Sequence, residues 1–103
     1  MTNITGGAVL VTGGSRGIGR AIALRFARHG AATVAIGYLR NDKAAEATAE
    51  EIRALGAEPV LVRGNISSER VLREVAELPP LTALIHNAAT GVIRPALEAQ
   101  EKH

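Results

Sequence analysis

Four short apolar runs recur along the chain, at residues 8–12, 33–37, 59–62 and 83–86. Near-continuous runs of this kind, without strict alternation, fit parallel strands covered on both faces of a sheet. Between them the hydrophobic positions take up helical spacing. After the first run, Ile18, Ile22 and Phe26 fall on one helical face. The second helical stretch opens at Asn41, a residue type that caps helix N-termini, groups Ala45, Ala49 and Ile52, and stops at Gly56. The third is capped by Ser67 or Ser68 and carries Glu69 in its first turn, where an acid complements the helix dipole. Its pattern turns Leu72, Val75 and Leu78 inward, and Pro79 and Pro80 end it. Strands alternating with helices at this spacing imply right-handed crossovers and a doubly wound α/β sheet with strand order 3-2-1-4.

Composition narrows the class of molecule. The chain has 103 residues and 47% hydrophobic content, which suits one domain with a modest core. No apolar run approaches the ~20 residues of a membrane span, and residues 1–7 are polar and lack signal-peptide character. There is no cysteine, which excludes disulfides and thiolate metal sites and fits a cytoplasmic protein. The net charge is +2 with the cations scattered, and Phe26 and Tyr38 are the only aromatic residues, so no nucleic-acid surface is expected. His29, His86 and His103 lack ligand-like spacing, and no metal site is expected.

The chemistry concentrates where the first strand meets the first helix, in Gly13, Gly14, Gly17 and Gly19. A glycine-rich turn at this junction aims backbone N–H groups and the positive helix end at an anion. Gly13 can take backbone angles closed to other residues, and Gly17 and Gly19 carry no side chain that would block a pyrophosphate or hold the helix off the strand. A glycine cluster alone is often only a loop. On the first junction of a βαβ pattern it reads as a nucleotide site.

The motif Thr12-Gly13-x-x-x-Gly17-Ile18-Gly19 resembles the cofactor motif of the short-chain dehydrogenase/reductase family. Asn87-Ala88-Ala89 stands where that family carries Asn-Ala-Gly after the fourth strand, and Asn65-Ile66 where many members have an Asp and an apolar residue framing the adenine. The resemblance runs through the whole chain and implies an NAD(P)-binding domain of the Rossmann type over residues 1–103. It implies cofactor contacts by Gly13, Ser15, Arg16, Gly17, Ile18, Gly19, Arg40, Asn65, Ile66, Asn87, Ala88 and Ala89. Ala89 in place of the glycine adds a methyl group near the cofactor. The stretch His86 to His103 is similar to a branch that includes an NADPH-dependent enoyl-acyl-carrier-protein reductase, although the segment between Asn65 and Asn87 is several residues short for it.

Each of these residues also has a plainer role. Ser15 and Asn65 are turn formers, Arg16 can be a solvated cation, and His86 reads as a structural strand-end residue. Arg28 and His29 suit the C-terminal end of the first helix. Members that prefer NAD place an acid after the second strand, against the ribose 2′-OH. Here residues 37–40 hold no acid, Arg40 stands as a ligand for a 2′-phosphate, and Asp42 serves equally as a charge at the helix start. Arg16 and Arg40 together offer two guanidinium forks to a 2′-phosphate, so the expected cofactor is NADPH in preference to NADH.

The family's catalytic Tyr-x-x-x-Lys is absent. Tyr38 is the sole tyrosine and Asp42 occupies the lysine spacing, while Lys43 and Lys102 have no such tyrosine. No catalytic residue is assigned, and the 103 residues alone are expected to be inactive. The expectation is the cofactor half of a longer, homo-oligomeric oxidoreductase, cut before its catalytic residues, with carbonyl and enoyl substrates both open. The alternative is a noncatalytic dinucleotide-binding or interaction half-domain completed by a partner chain. With the fourth strand at the sheet edge, the isolated chain is expected to aggregate or pair there.

Overall fold

The computed structural model describes residues 4–13, 17–65 and 67–86. In chain order these form β1 (Ala8–Thr12), α1 (Gly17–Arg28), β2 (Thr33–Tyr38), α2 (Asp42–Ala54), β3 (Glu58–Arg63), α3 (Glu69–Ala76) and β4 (Leu81–His86). All strand pairs are parallel and the order is β3-β2-β1-β4, a doubly wound α/β sheet of the Rossmann type as the alternation predicts. β3 outgrows its apolar run at both ends because Glu58 and Arg63 pair in register with Thr33 and Tyr38 of β2.

β1 and β2 are the buried centre. On one face Val9, Val11, Val34 and Ile36 meet Ala23, Leu24 and Ala27 of α1 and Ile52 of α2. Alternation along the strands sends Leu10 and Ala35, both fully buried, to the other face. α3 lies against β3 on that face and contributes Val71, 1% exposed.

The helix ends follow their sequence signals where those are local. Asn41 caps α2 by accepting the Ala44 N–H at 3.0 Å. Beyond its other end, the N–H groups of Gly56 and Ala57 return to the carbonyls of Arg53 and Ile52 at 3.0 and 3.2 Å. Ala45, Ala49 and Ile52 are buried as expected. Of the two serines, Ser68 caps α3, accepting the Val71 N–H at 3.4 Å.

Two helical faces differ from the expected ones. In α1 the buried stripe is Gly19, Ala23, Leu24 and Ala27. Small residues spaced by four let the helix lie close on the sheet, so Ile22 and Phe26 pack at its flank and Ile18 is 48% exposed. In α3 the inward residue is Val71, and Leu72 is 51% exposed. At 100° per residue, positions 71, 75 and 78 stay within one narrow stripe, whereas 72, 75 and 78 drift 120° around the helix. The covering of both sheet faces is also incomplete among the described residues, since Leu84 of β4 is 51% exposed.

Candidate functional site

The register fixes where the site lies. Thr12 of β1 pairs with Gly37 of β2 and with His86 of β4, so the carboxyl ends of the strands form one row. β1 sits where the strand order reverses, between β2 and β4. In open α/β sheets this switch point opens a crevice at the carboxyl edge.

The row is tied together by backbone and side chain. The Gly13 N–H donates to the Gly37 carbonyl at 2.6 Å. Gly37 leaves little room, because a Cβ there would lie 3.4 Å from the Thr12 Cα. The Thr12 hydroxyl donates to the Ile85 carbonyl at 3.4 Å, and His86 Nδ1 lies 3.0 Å from the same Thr12 oxygen. His86 thus anchors the end of β4 to β1, the structural role its sequence context indicates.

Immediately beyond this row the chain turns. Gly13 has φ +69° and Gly17 has φ +63°, in the region where a side chain is strained. The space a Cβ of Gly17 would enter is open. α1 then begins, with no acidic residue in its first turn to neutralise its positive end. Positive-φ turn, open approach and uncompensated helix terminus together fit an anionic group such as a pyrophosphate. Gly19 is buried against the sheet and supports the close docking of α1. Ser15 and Arg16 lie outside the described residues.

On the β2 side, Arg40 is exposed in the turn into α2 and makes no ion pair among the described residues. Asp42 has a different fate. Its Oδ1 accepts from Arg63 Nε of β3 at 3.0 Å, and Tyr38 hydrogen-bonds to the same carboxylate. Burial, then that hydrogen bond, pushes the Tyr38 hydroxyl above the ordinary tyrosine value. The acid near Arg40 is therefore more than a charge at the helix start. It is drawn toward β3.

On the β3 side, Gly64 returns its N–H to the Tyr38 carbonyl at 2.8 Å and leads into Asn65. The Asn65 side-chain oxygen accepts from the Ser67 N–H at 2.9 Å and the Ser67 hydroxyl at 2.8 Å. It serves the turn into α3, which leaves its amide hydrogens as the group available to a ligand. Ile66, Asn87, Ala88 and Ala89 lie outside the described residues.

The structure thus gathers Gly13, Gly17, Gly19, Arg40 and Asn65 at one edge of the sheet, with Ile18 exposed at the start of α1. Sequence reasoning missed Arg63. The one signal for it is an opposite charge at the end of the strand that neighbours Tyr38, and this emerges only once β2 and β3 are in register. Among the described residues there is no group of acids and histidines that could hold a metal ion, and no helix is long and apolar enough to cross a membrane.

Comparison with known proteins agrees with this architecture. Residues 7–103 match the family described as short chain dehydrogenase. A short chain dehydrogenase of Penicillium thymicola is 40% identical over 95 residues, covering 84% of this chain and 34% of that protein. A 3-oxoacyl-acyl-carrier-protein reductase of Staphylococcus epidermidis is 38% identical over 86 residues, covering 79% of this chain and 35% of its own length. The crystal structure of a short chain dehydrogenase from Burkholderia cenocepacia in complex with NADP superposes with a TM-score of 0.64 at 39% identity, covering 73% of this chain and 30% of that one. The chain spans about a third of the length of the curated relatives it matches.

Proposed function

The chain belongs to the short-chain dehydrogenase family, and from that premise we propose that it supplies the cofactor-binding portion of an NADP(H)-dependent oxidoreductase. The observation that carries the reading is the edge formed by Gly13, Gly17 and the α1 terminus with the exposed Arg40 beside it. The pyrophosphate is held at the turn, with Ser15 and Arg16 in contact with phosphate or ribose. Arg40 takes the 2′-phosphate, the Asn65 amide and Ile66 frame the adenine, and Asn87, Ala88 and Ala89 contact the cofactor. When bound, the cofactor supplies or accepts a hydride.

The substrate class is a carbonyl or an enoyl thioester. The relative named as a 3-oxoacyl-acyl-carrier-protein reductase supports an acyl thioester, and with it a place in fatty acid metabolism. The 103 residues hold no Tyr-x-x-x-Lys, so no catalytic step is assigned to them, and by themselves they bind cofactor without turnover. The complete enzyme works as a homo-oligomer in the cytoplasm.

Calorimetric titration of the full chain with NADPH and NADH, at fixed moderate salt, tests the cofactor reading. A charge-assisted hydrogen bond contributes about 1.5–3 kcal/mol, so Arg40→Asp should weaken NADPH binding about 10- to 150-fold. The introduced acid repels the 2′-phosphate and offers the 2′-OH of NADH an acceptor, which narrows or reverses the preference. Equal affinity of the parent chain for both cofactors would sink the assignment of Arg40.

A further inference from the structure

We propose that Arg63 is a positioning residue for cofactor choice: it holds the Asp42 carboxylate at the end of β3, away from the ribose side, and leaves the Arg40 cation unopposed. This rests on the reading of Arg40 as the 2′-phosphate ligand.

Asp42 is the one acid in the stretch from Tyr38 to Asp42 that joins β2 to α2. It lies two residues after Arg40, and its N–H donates to the Arg40 carbonyl at 2.9 Å, so the turn draws the two together. A carboxylate free to move at this point has two uses, and both favour NADH. It can neutralise Arg40, which removes the cation a 2′-phosphate needs. It can also accept a hydrogen bond from the 2′-OH of an unphosphorylated ribose.

Arg63 competes for that carboxylate. It is the last residue of β3, in register with Tyr38, and its Nε stands 3.0 Å from Asp42 Oδ1. Its own backbone is fixed from the other side, because Arg70 of α3 donates to the Arg63 carbonyl at 2.6 Å. Both members of the Arg63–Asp42 pair are more than half exposed, at 58% and 56%. Exposed pairs are weak, so the hold biases the carboxylate rather than locking it, and the expected change in preference is about two- to fivefold.

The test is a double-mutant cycle on the full chain, with NADPH and NADH titrated by calorimetry at fixed moderate salt. Arg63→Gln should lower the NADPH-to-NADH affinity ratio about two- to fivefold. Asp42→Asn alone should leave the ratio near the parent value, because the carboxylate is already held aside. In the Arg63→Gln background the same Asp42→Asn change should restore the ratio, and Arg63→Lys should retain most of it. Equal effects of Asp42→Asn in both backgrounds would mean that only the net field matters, and would overturn the proposal. A double variant as low as Arg63→Gln alone also overturns it, since Arg63 would then act on the cofactor directly. A parent preference for NADPH that Arg63→Gln leaves unchanged defeats this inference alone. A parent without that preference defeats the Arg40 reading and this inference with it.

Discussion

Val71 and Leu72 are adjacent in α3 and similar in chemistry, yet the structure gives them opposite surroundings, at 1% and 51% exposed. Truncating each to alanine therefore separates the observed face of α3 from the one the apolar pattern favours. Val71→Ala removes two methyl groups from a fully buried site, worth about 1.6 kcal/mol at about 0.8 kcal/mol per buried carbon. The space left behind adds up to about 1 kcal/mol if it does not collapse. Alanine returns about 0.5 kcal/mol as the better helix former. The net loss is about 2 kcal/mol, a sizeable share of the 5–15 kcal/mol typical of a domain. It should lower Tm by roughly 8–16 °C for a domain of this size. Leu72→Ala loses only part of an exposed side chain and should change stability by no more than about 0.5 kcal/mol. Urea unfolding of both variants followed by circular dichroism, with the slope m checked for constancy, reads the difference directly. Equal losses, or a larger loss for Leu72→Ala, would refute the assignment of the buried face.

Tyr38 contributes to stability at alkaline pH. Because burial and the Asp42 hydrogen bond raise its pKa, the folded state favours the neutral phenol. That stabilisation is complete below the unfolded value of about 10 and is lost as pH rises through the higher folded value. Tyr38→Phe should flatten the loss of urea midpoint between about pH 9 and pH 11, and a parallel decline in both proteins would contradict it. At the other side of the molecule, β4 pairs only with β1 among the described residues and exposes Leu81 and Leu84. An open edge beside apolar side chains invites pairing. Sedimentation of the full chain should show concentration-dependent association that Leu84→Lys reduces, and a parent chain that stays monomeric at every concentration speaks against it.

The fold was legible wherever the deciding interaction is local. Asn41 and Gly56 bound α2 through hydrogen bonds reaching no more than five residues along the chain, so residue type alone marked both ends. The four strands were legible as apolar runs alternating with helices, and their order followed from that alternation. Burial is concentrated in β1 and β2, while β3 buries only Val62 and no residue of β4 is fully buried. The faces of α1 and α3 were read less well. In α1 the large apolar residues Ile18, Ile22 and Phe26 do not mark the buried stripe, because the sheet selects the small residues that let a helix approach. In α3 a spacing of three does not hold one stripe, and in an eight-residue helix with one fully buried side chain a shift of one residue buries Val71 and leaves Leu72 facing water.

At the site the same division separates backbone from side chain. Glycines mark the Gly13–Gly17 turn because their allowed angles are a property of the residue itself, and the structure places positive φ at both. On the proposed reading this turn faces the pyrophosphate, which NAD and NADP share, so it cannot choose between them. On the same reading the choice passes to Arg40, which was legible, and to its surroundings, which were not. Asp42 at the start of α2 and Arg63 at the end of β3 are 21 residues apart in the chain and meet only once β2 and β3 are in register. Those charges are exposed and the hydrogen bonds that fasten β1 to β2 do not depend on them. On the proposed reading a change of cofactor preference therefore proceeds at Arg40, Asp42 and Arg63 by steps that each cost little stability. A change at Gly13 or Gly37 strains the turn or the β1–β2 approach directly, and on the proposed reading it weakens both cofactors together.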